Sequence, residues 1–258
     1  MRIANKLLIG SLSLVFAGVT ITSGLLWSGA STQSSEALTN ATRERLTVTR
    51  QLLSREMQSA QEQIDRQVRT MAQNRATSTA LPAFARDFSN YASEDEVPAS
   101  LMRYYEDAFL DAYRESNPES RLDIEALLEG MSPKARGMQT DFIADNPAPL
   151  GEKDEMQKAG TGSSYDRTHD RWHENFRDFQ ENFGFYDVFL VDAKTDAIVY
   201  SVFKEIDFGT SLTSGPFADS AIAEAYERAM AMDEPGATAL TDYERYTPSY
   251  EAPASFIA

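Results

Sequence analysis

The chain has 258 residues, 42% of them hydrophobic and 25% charged. That is enough for one large domain or two small ones with a real core, and the composition argues against wholesale disorder. Asp and Glu number 40 against 24 Lys and Arg, a formal net charge of -16, so no basic face is expected for a phosphate backbone and nucleic acid is not an expected partner; the absence of cysteine removes disulfides, thiolate metal sites and thiol catalysis together.

The chain opens on Arg2 and Lys6, followed by an uncharged run from Leu7 to Ala30. A bilayer core about 30 Å thick takes about 20 helical residues, which this run supplies. A cytoplasmic N-terminus (1–6) and a transmembrane helix (7–27) are expected, with Trp27 at the interface and the bases on the cytoplasmic side. The competing expectation is a signal peptide cut after Ser28-Gly29-Ala30, though signal cores run only about 7–15 residues. No second run of that length follows, so the chain as given is expected to cross the inner membrane once, with residues 28–258 periplasmic.

Residues 31–75 contain neither proline nor glycine and predict one long scaffold helix. Leu38, Thr42, Leu46, Thr49, Leu53, Met57, Ala60, Ile64, Val68 and Met71 form a stripe. Its steps average about 3.67 residues, close to an eleven-residue repeat, and a stripe of that kind must pack on the domain, on a second copy, or on both.

Residues 76–182 predict a broken helical region punctuated by Pro82, Pro98, Pro118 and Pro133. Leu101, Tyr105, Phe109 and Tyr113 make one apolar stripe there, and Trp172, Phe176, Phe179 and Phe183 another, the second stopped by Gly184. From 183 the texture turns to strand. "FYDVFLVD" alternates, "AKTDA" is the turn, and "IVYSVFKE" is the return strand. A helix over "AIAEAYERAMAMD" follows, capped by Asp219 or Ser220. The last 22 residues begin another hairpin, whose second strand is expected to be cut short at Ala258. The predicted class is α+β.

No serine sits in a nucleophile elbow, and "GTGSS" lacks the lysine and setting of a phosphate loop. No catalytic residue and no cofactor are expected. His169 and His173, four apart on a helix, could face one metal ion, but the helix lacks the glutamate of a metalloprotease motif. Trp172, Tyr186, Asp187, Tyr200, Lys204, Asp242 and Tyr243 lie on or beside the predicted sheet and suit a pocket for a small polar solute.

An N-terminal anchor, a long helix, and then "YDVFLVDAKTDAIVYSVFKEIDFGTSL" and "GPFADSAIAEAYERAM" resemble the extracytoplasmic sensor region of bacterial methyl-accepting chemotaxis proteins. "DFIADNPAPLGEKDEM" and "SSYDRTHDRWHENFRDF" fit the same group. The resemblance implies a Cache-type, PAS-like antiparallel sheet laid against the long helix, incomplete at the C-terminus. It further implies a second span, HAMP segment and signalling hairpin beyond residue 258, through which a chemotaxis kinase complex would be reached; a homodimer is expected through the long helix. Histidine kinases and nucleotide cyclases carry similar sensor regions. A third alternative is an anchored or secreted binding protein or hydrolase without a signalling role. The arginine-x-tryptophan signature of amino-acid-sensing Cache domains is not matched, because Arg171 and Trp172 are adjacent.

Overall fold

The computed structural model describes the backbone of residues 3–258 and the side chains of residues 16, 18–24, 27 and 38–258. The expected membrane run over 7–27 falls largely on residues whose side chains lie outside that set; among the described residues no helix is long and apolar enough to cross a membrane. The chain divides into two units, residues 1–63 and 64–258.

Helix α1 covers Ile3–Gln73. Threonines at 42, 47 and 70 return their hydroxyls to the carbonyl four residues earlier, which keeps these polar side chains compatible with the helix. Among the described residues its apolar stripe is exposed from Leu38 to Met57, with Leu46 66% and Met57 73% exposed. Further on the stripe turns inward, and Met71 packs against the core of the second unit.

Asn74 ends α1 and caps α2 (Arg75–Ser89), its side chain accepting the Ala76 amide at 3.0 Å. Next come α3 (Ala99–Arg103), a π-helical turn (Tyr104–Phe109) and α4 (Leu110–Ser116). The expected stripe is confirmed there, because Leu101, Tyr105, Phe109 and Tyr113 are all buried. Each step of four overshoots an ideal turn by about 40°. The wider π turn absorbs that drift, so rings at every fourth position stay on one face. Helices α5 (Ile124–Glu129) and α6 (Pro133–Gln139) begin at Asp123 and Ser132, whose side chains cap the Ala126 and Ala135 amides.

Helix α7 (Ser164–Phe183) starts at the Ser163 cap and stops at Gly184, which takes a left-handed conformation with φ 71°. Its buried stripe is not quite the expected one. Tyr165, His169, His173 and Phe176 face the core, while Phe183 is exposed and Trp172 and Phe179 are half-buried. The two histidines occupy positions that an all-apolar pattern assigns elsewhere.

The expected single sheet is replaced by two separate antiparallel hairpins, β1 (Phe189–Asp192) with β2 (Ala197–Ser201) and β3 (Glu244–Tyr246) with β4 (Ala252–Ala254). The cause is local. The second edge of β2 is occupied by residues 209–212, through Gly209 to Ile198 and Ile198 to Thr210 backbone bonds, which leaves no edge there for a further strand. Between the hairpins lies α8 (Ala221–Met230). Ser220 precedes α8 but does not cap it, its hydroxyl bonding the Phe217 carbonyl instead. The second hairpin's pairing runs on through Thr241–Phe256 and Ala239–Ala258, so the final residue is hydrogen-bonded.

Two hydrophobic clusters form the core of the second unit. One joins α2, α7, β1, β2 and α8, and the other joins α3 through α6 with Ile206 and Phe217. The loop after β2 runs between them, with Phe208 in the first cluster and Ile206 in the second.

Candidate functional site

The return strand was expected to reach Glu205, yet β2 ends at Ser201. Asp187 explains the early stop. Its Oδ1 accepts the amides of Val188 (2.6 Å), Val202 (2.9 Å) and Phe203 (3.1 Å), and its Oδ2 accepts the Ser201 hydroxyl (2.7 Å). Gathering those amides onto one carboxylate turns the chain out of the strand. Lys204 follows with φ 58°, a left-handed backbone that a long side chain rarely adopts.

From there to Gly209 the loop is clamped from below. Gln139, fully buried, donates to the Ile206 and Phe208 carbonyls at 2.7 and 2.8 Å and accepts the Tyr105 hydroxyl at 2.6 Å. Gly209 has φ 81°, and a Cβ there would lie 3.2 Å from the Ala135 Cα, so the close approach to α6 needs glycine.

Four charged side chains are carried by or beside this loop. Lys204 and Asp207 are buried, and Asp187 and Glu205 are half-buried. Among the described residues no ion pair joins any of them, an unusual arrangement for interior charges. The Lys204 ammonium donates to the Val202 carbonyl at 2.9 Å. Burial pulls its pKa down to about 7 despite the opposing pull of Asp187. Burial raises the Asp187 carboxyl to about 6, against the bonds from Ser201 and the backbone amides. Burial likewise raises Glu205 to about 8 and Asp207 to about 7. In each case desolvation of the ionised form outweighs the local groups that favour it.

The loop is tied on two sides by hydroxyls. Tyr186 donates to Glu205 Oε1 at 2.6 Å, and Ser249 to Glu205 Oε2 at 2.8 Å. Tyr246 donates to Asp207 Oδ2, and Asp207 Oδ1 is buried without a hydrogen-bond partner.

Behind Lys204 sits an aromatic and imidazole layer. Tyr200, fully buried, packs on Phe84 and Phe176 with ring centroids 4.7 and 5.0 Å apart. His169 and His173 are stacked at 4.3 Å. His173 Nε2 lies 2.5 Å from the Asp154 carbonyl, which can only accept, so this nitrogen carries the proton and Nδ1 accepts the Tyr200 hydroxyl at 2.7 Å. By the same reasoning His169 donates from Nδ1 to the Gln157 carbonyl at 2.7 Å, and its Nε2 is a buried lone pair with no partner. Burial, reinforced by Lys204, lowers His173 to about 3 and holds His169 well below its ordinary value, so both rings are neutral. With three of four ring nitrogens engaged, the pair is built as core; no group of three metal-ligating side chains occurs among the described residues.

The seven residues expected around a solute pocket thus separate. Asp187, Tyr200 and Lys204 belong to the interior cluster. Tyr186 is 57% exposed but reaches Glu205 and stacks on Phe203 at 5.0 Å. Trp172 is half-buried on α7, with the Arg171 guanidinium over its ring. Asp242 and Tyr243 are exposed at the start of the second hairpin, where Asp242 accepts the Tyr243 amide at 2.8 Å. Glu205, Asp207, Gln139, Tyr246 and Ser249 were not expected in the site. The acids of "KEIDFG" resembled a solvated strand end, and no local pattern says that a loop will be swallowed between two clusters. A shallow depression of about 560 Å³ lies elsewhere, along the surface of α1 by Leu46, Leu53 and Met57. A groove on one helix does not enclose a small ligand.

Compared with protein-family models, curated proteins and solved structures, this chain finds no match.

Proposed function

We propose that the chain is the sensor region of a membrane-anchored bacterial receptor of the chemotaxis type, without catalytic activity of its own. Residues 7–27 would anchor it in the inner membrane, and the lobe from residue 64 onward would lie outside the cytoplasm. The observation that carries the reading is the loop after β2. Ionisable groups at 187, 204, 205 and 207 are held inside the lobe with no ion pair among the described residues, at a cost in stability. Such a cluster responds strongly to anything that binds there, because a small solute or a proton alters large, poorly screened interactions.

Two further features support the reading. The stripe from Leu38 to Met57 is exposed and follows an eleven-residue repeat, which suits pairing with a second copy of the chain. In addition, Thr238, beyond α8, donates to Asp65 on α1, and Arg69 pairs with the same carboxylate at 3.0 Å. Movement in the segment after α8 would therefore be felt directly at the helix.

A chimera tests the function. Residues 1–258 joined to the second span and cytoplasmic portion of a chemotaxis receptor of known output should give a stimulus-dependent response. Output that ignores every solute and every pH shift would contradict the proposal. A thermal-shift screen of small acids, amines and purines is the companion measurement, since a ligand at a hundredfold excess over its Kd adds about 2.7 kcal/mol to native stability.

A further inference from the structure

We propose that the stimulus this lobe registers is the proton, taken up and released by Glu205 and Asp207 in the loop between the two hydrophobic clusters. The inference rests on the sensor reading above and names its stimulus.

The geometry supplies both the proton site and the moving part. Glu205 and Asp207 are two residues apart on a loop whose Ile206 and Phe208 carbonyls are held by Gln139. Their carboxyl groups hold a different segment, bonding Ser249 and Tyr246 of the second hairpin. Asp207 Oδ1 is buried without a hydrogen-bond partner, a setting that penalises the ionised carboxylate more than the neutral acid. Uptake therefore gives two neutral acids bonded to the hairpin. Release places two anions, with Asp187 close by, in a region without a paired cation, and the proton passes to solvent.

Burial together with mutual charge sets the range. Glu205 is raised to about 8 by desolvation and then by Asp207, and Asp207 to about 7 by desolvation with Asp187 adding to it. The three acids titrate as a set. Other titratable groups face them. Tyr186, Tyr104 and Tyr250 lie around Glu205, and Tyr246 and Tyr105 around Asp207; burial raises all five phenols, so they stay neutral in this range. Lys204, next to Asp187, Asp154 and Arg177, is lowered to about 7. His169 and His173 lie beyond it, and burial keeps both rings neutral throughout this range.

The sign follows from these directions. An acid raised above its unfolded value stabilises the fold fully below about pH 4, and that contribution is lost as pH rises through the folded value. For Glu205 and Asp207 the loss is complete near pH 8. The histidines work the other way only below pH 6.5, and Lys204 only between about 7 and 10.5. A paired comparison removes both.

The test uses the purified full chain and a Glu205→Gln, Asp207→Asn double variant, melted at pH 5, 6, 7 and 8. The gap between the two should be smallest at pH 5 and widen steadily, with the variant several degrees higher by pH 8. Amide exchange at Tyr246–Ser249 should quicken at least tenfold between pH 6 and 8 in the unmodified chain, after correction for intrinsic exchange, and stay level in the variant. A constant gap in melting temperature, or exchange that ignores pH, would overturn the proposal. Should the variant fail to fold, the infrared band of protonated carboxyl groups in the unmodified chain decides. Its loss between pH 6 and 8 supports the proposal, and its absence at pH 6 ends it. Failure here leaves the sensor reading standing, because that reading depends on the chimera and on solute binding rather than on titration.

Discussion

The exposed stripe of α1 and the loop after β2 break opposite rules. Along α1, Leu46, Leu53 and Met57 stand in solvent where a soluble helix would carry polar groups. In the loop, Lys204 and Asp207 stand in the core where apolar groups would cost less. Exposed apolar surface is relieved by a partner, because covering it gains about 25 cal/mol per Å². Interior charge is relieved by a change of protonation or by a ligand. One region therefore invites assembly and the other invites response, as the proposed function requires.

Mutations can break this comparison at either end. The largest effect is expected at the support beneath the loop. Gln139→Leu removes both bonds to the loop carbonyls and orphans the Tyr105 hydroxyl, so urea unfolding should register a loss of about 3 kcal/mol or more. A loss below about 1 kcal/mol would mean that the loop is held by other contacts.

Lys204→Met should act in the other direction. With its folded pKa lowered to about 7, the lysine burdens the fold fully below pH 7, and the burden fades between pH 7 and its unfolded value near 10.5. The methionine side chain would retain the bulk without the charge, adding about 1–4 kcal/mol at pH 6 and less at pH 9. A variant less stable at pH 6 would show that the ammonium's bond to Val202 outweighs its burial.

A smaller thermodynamic effect but a clear change of state is expected on α1. Leu53→Glu should leave lobe stability within about 0.5 kcal/mol, since the side chain touches no core. If the stripe pairs two copies as proposed, light scattering should find a dimer for the unmodified chain and half that mass for the variant. Thr238→Ala is the mildest on the lobe itself, because it removes only the hydroxyl bond to Asp65. That bond is the first cause of the lowered Asp65 pKa, so NMR titration of this carboxyl should show its value rising in the variant.

Much of the fold was legible because it follows local rules. The eleven-residue stripe, the ring stripe from Leu101 to Tyr113, and the stop of α7 at Gly184 all depend on neighbours within a few turns. The hairpin turn at 193–196 was legible for the same reason. The rest depends on distant partners. In sequence His169 and His173 suggest a pair of metal ligands, yet they are packed in the core, because carbonyls from the 154–157 segment supply their acceptors. β2 stops short because Asp187, fourteen residues before Ser201, captures its amides. The site itself was half legible. Asp187, Tyr200 and Lys204 were reached through strand alternation, whereas Glu205 and Asp207 carry the same letters as any solvated strand end. What makes them different is Gln139, more than sixty residues earlier, anchoring their loop between two cores.

Because the chain has no cysteine, one can be added as a clean reporter of where the lobe resides. Arg245→Cys, on the exposed part of β3, can be challenged in intact cells with a membrane-impermeant maleimide. The account predicts labelling in cells with a permeabilised outer membrane only, on protein recovered with the inner-membrane fraction. Protein recovered as a soluble species, or a cysteine that reacts only after the inner membrane is broken, would contradict it.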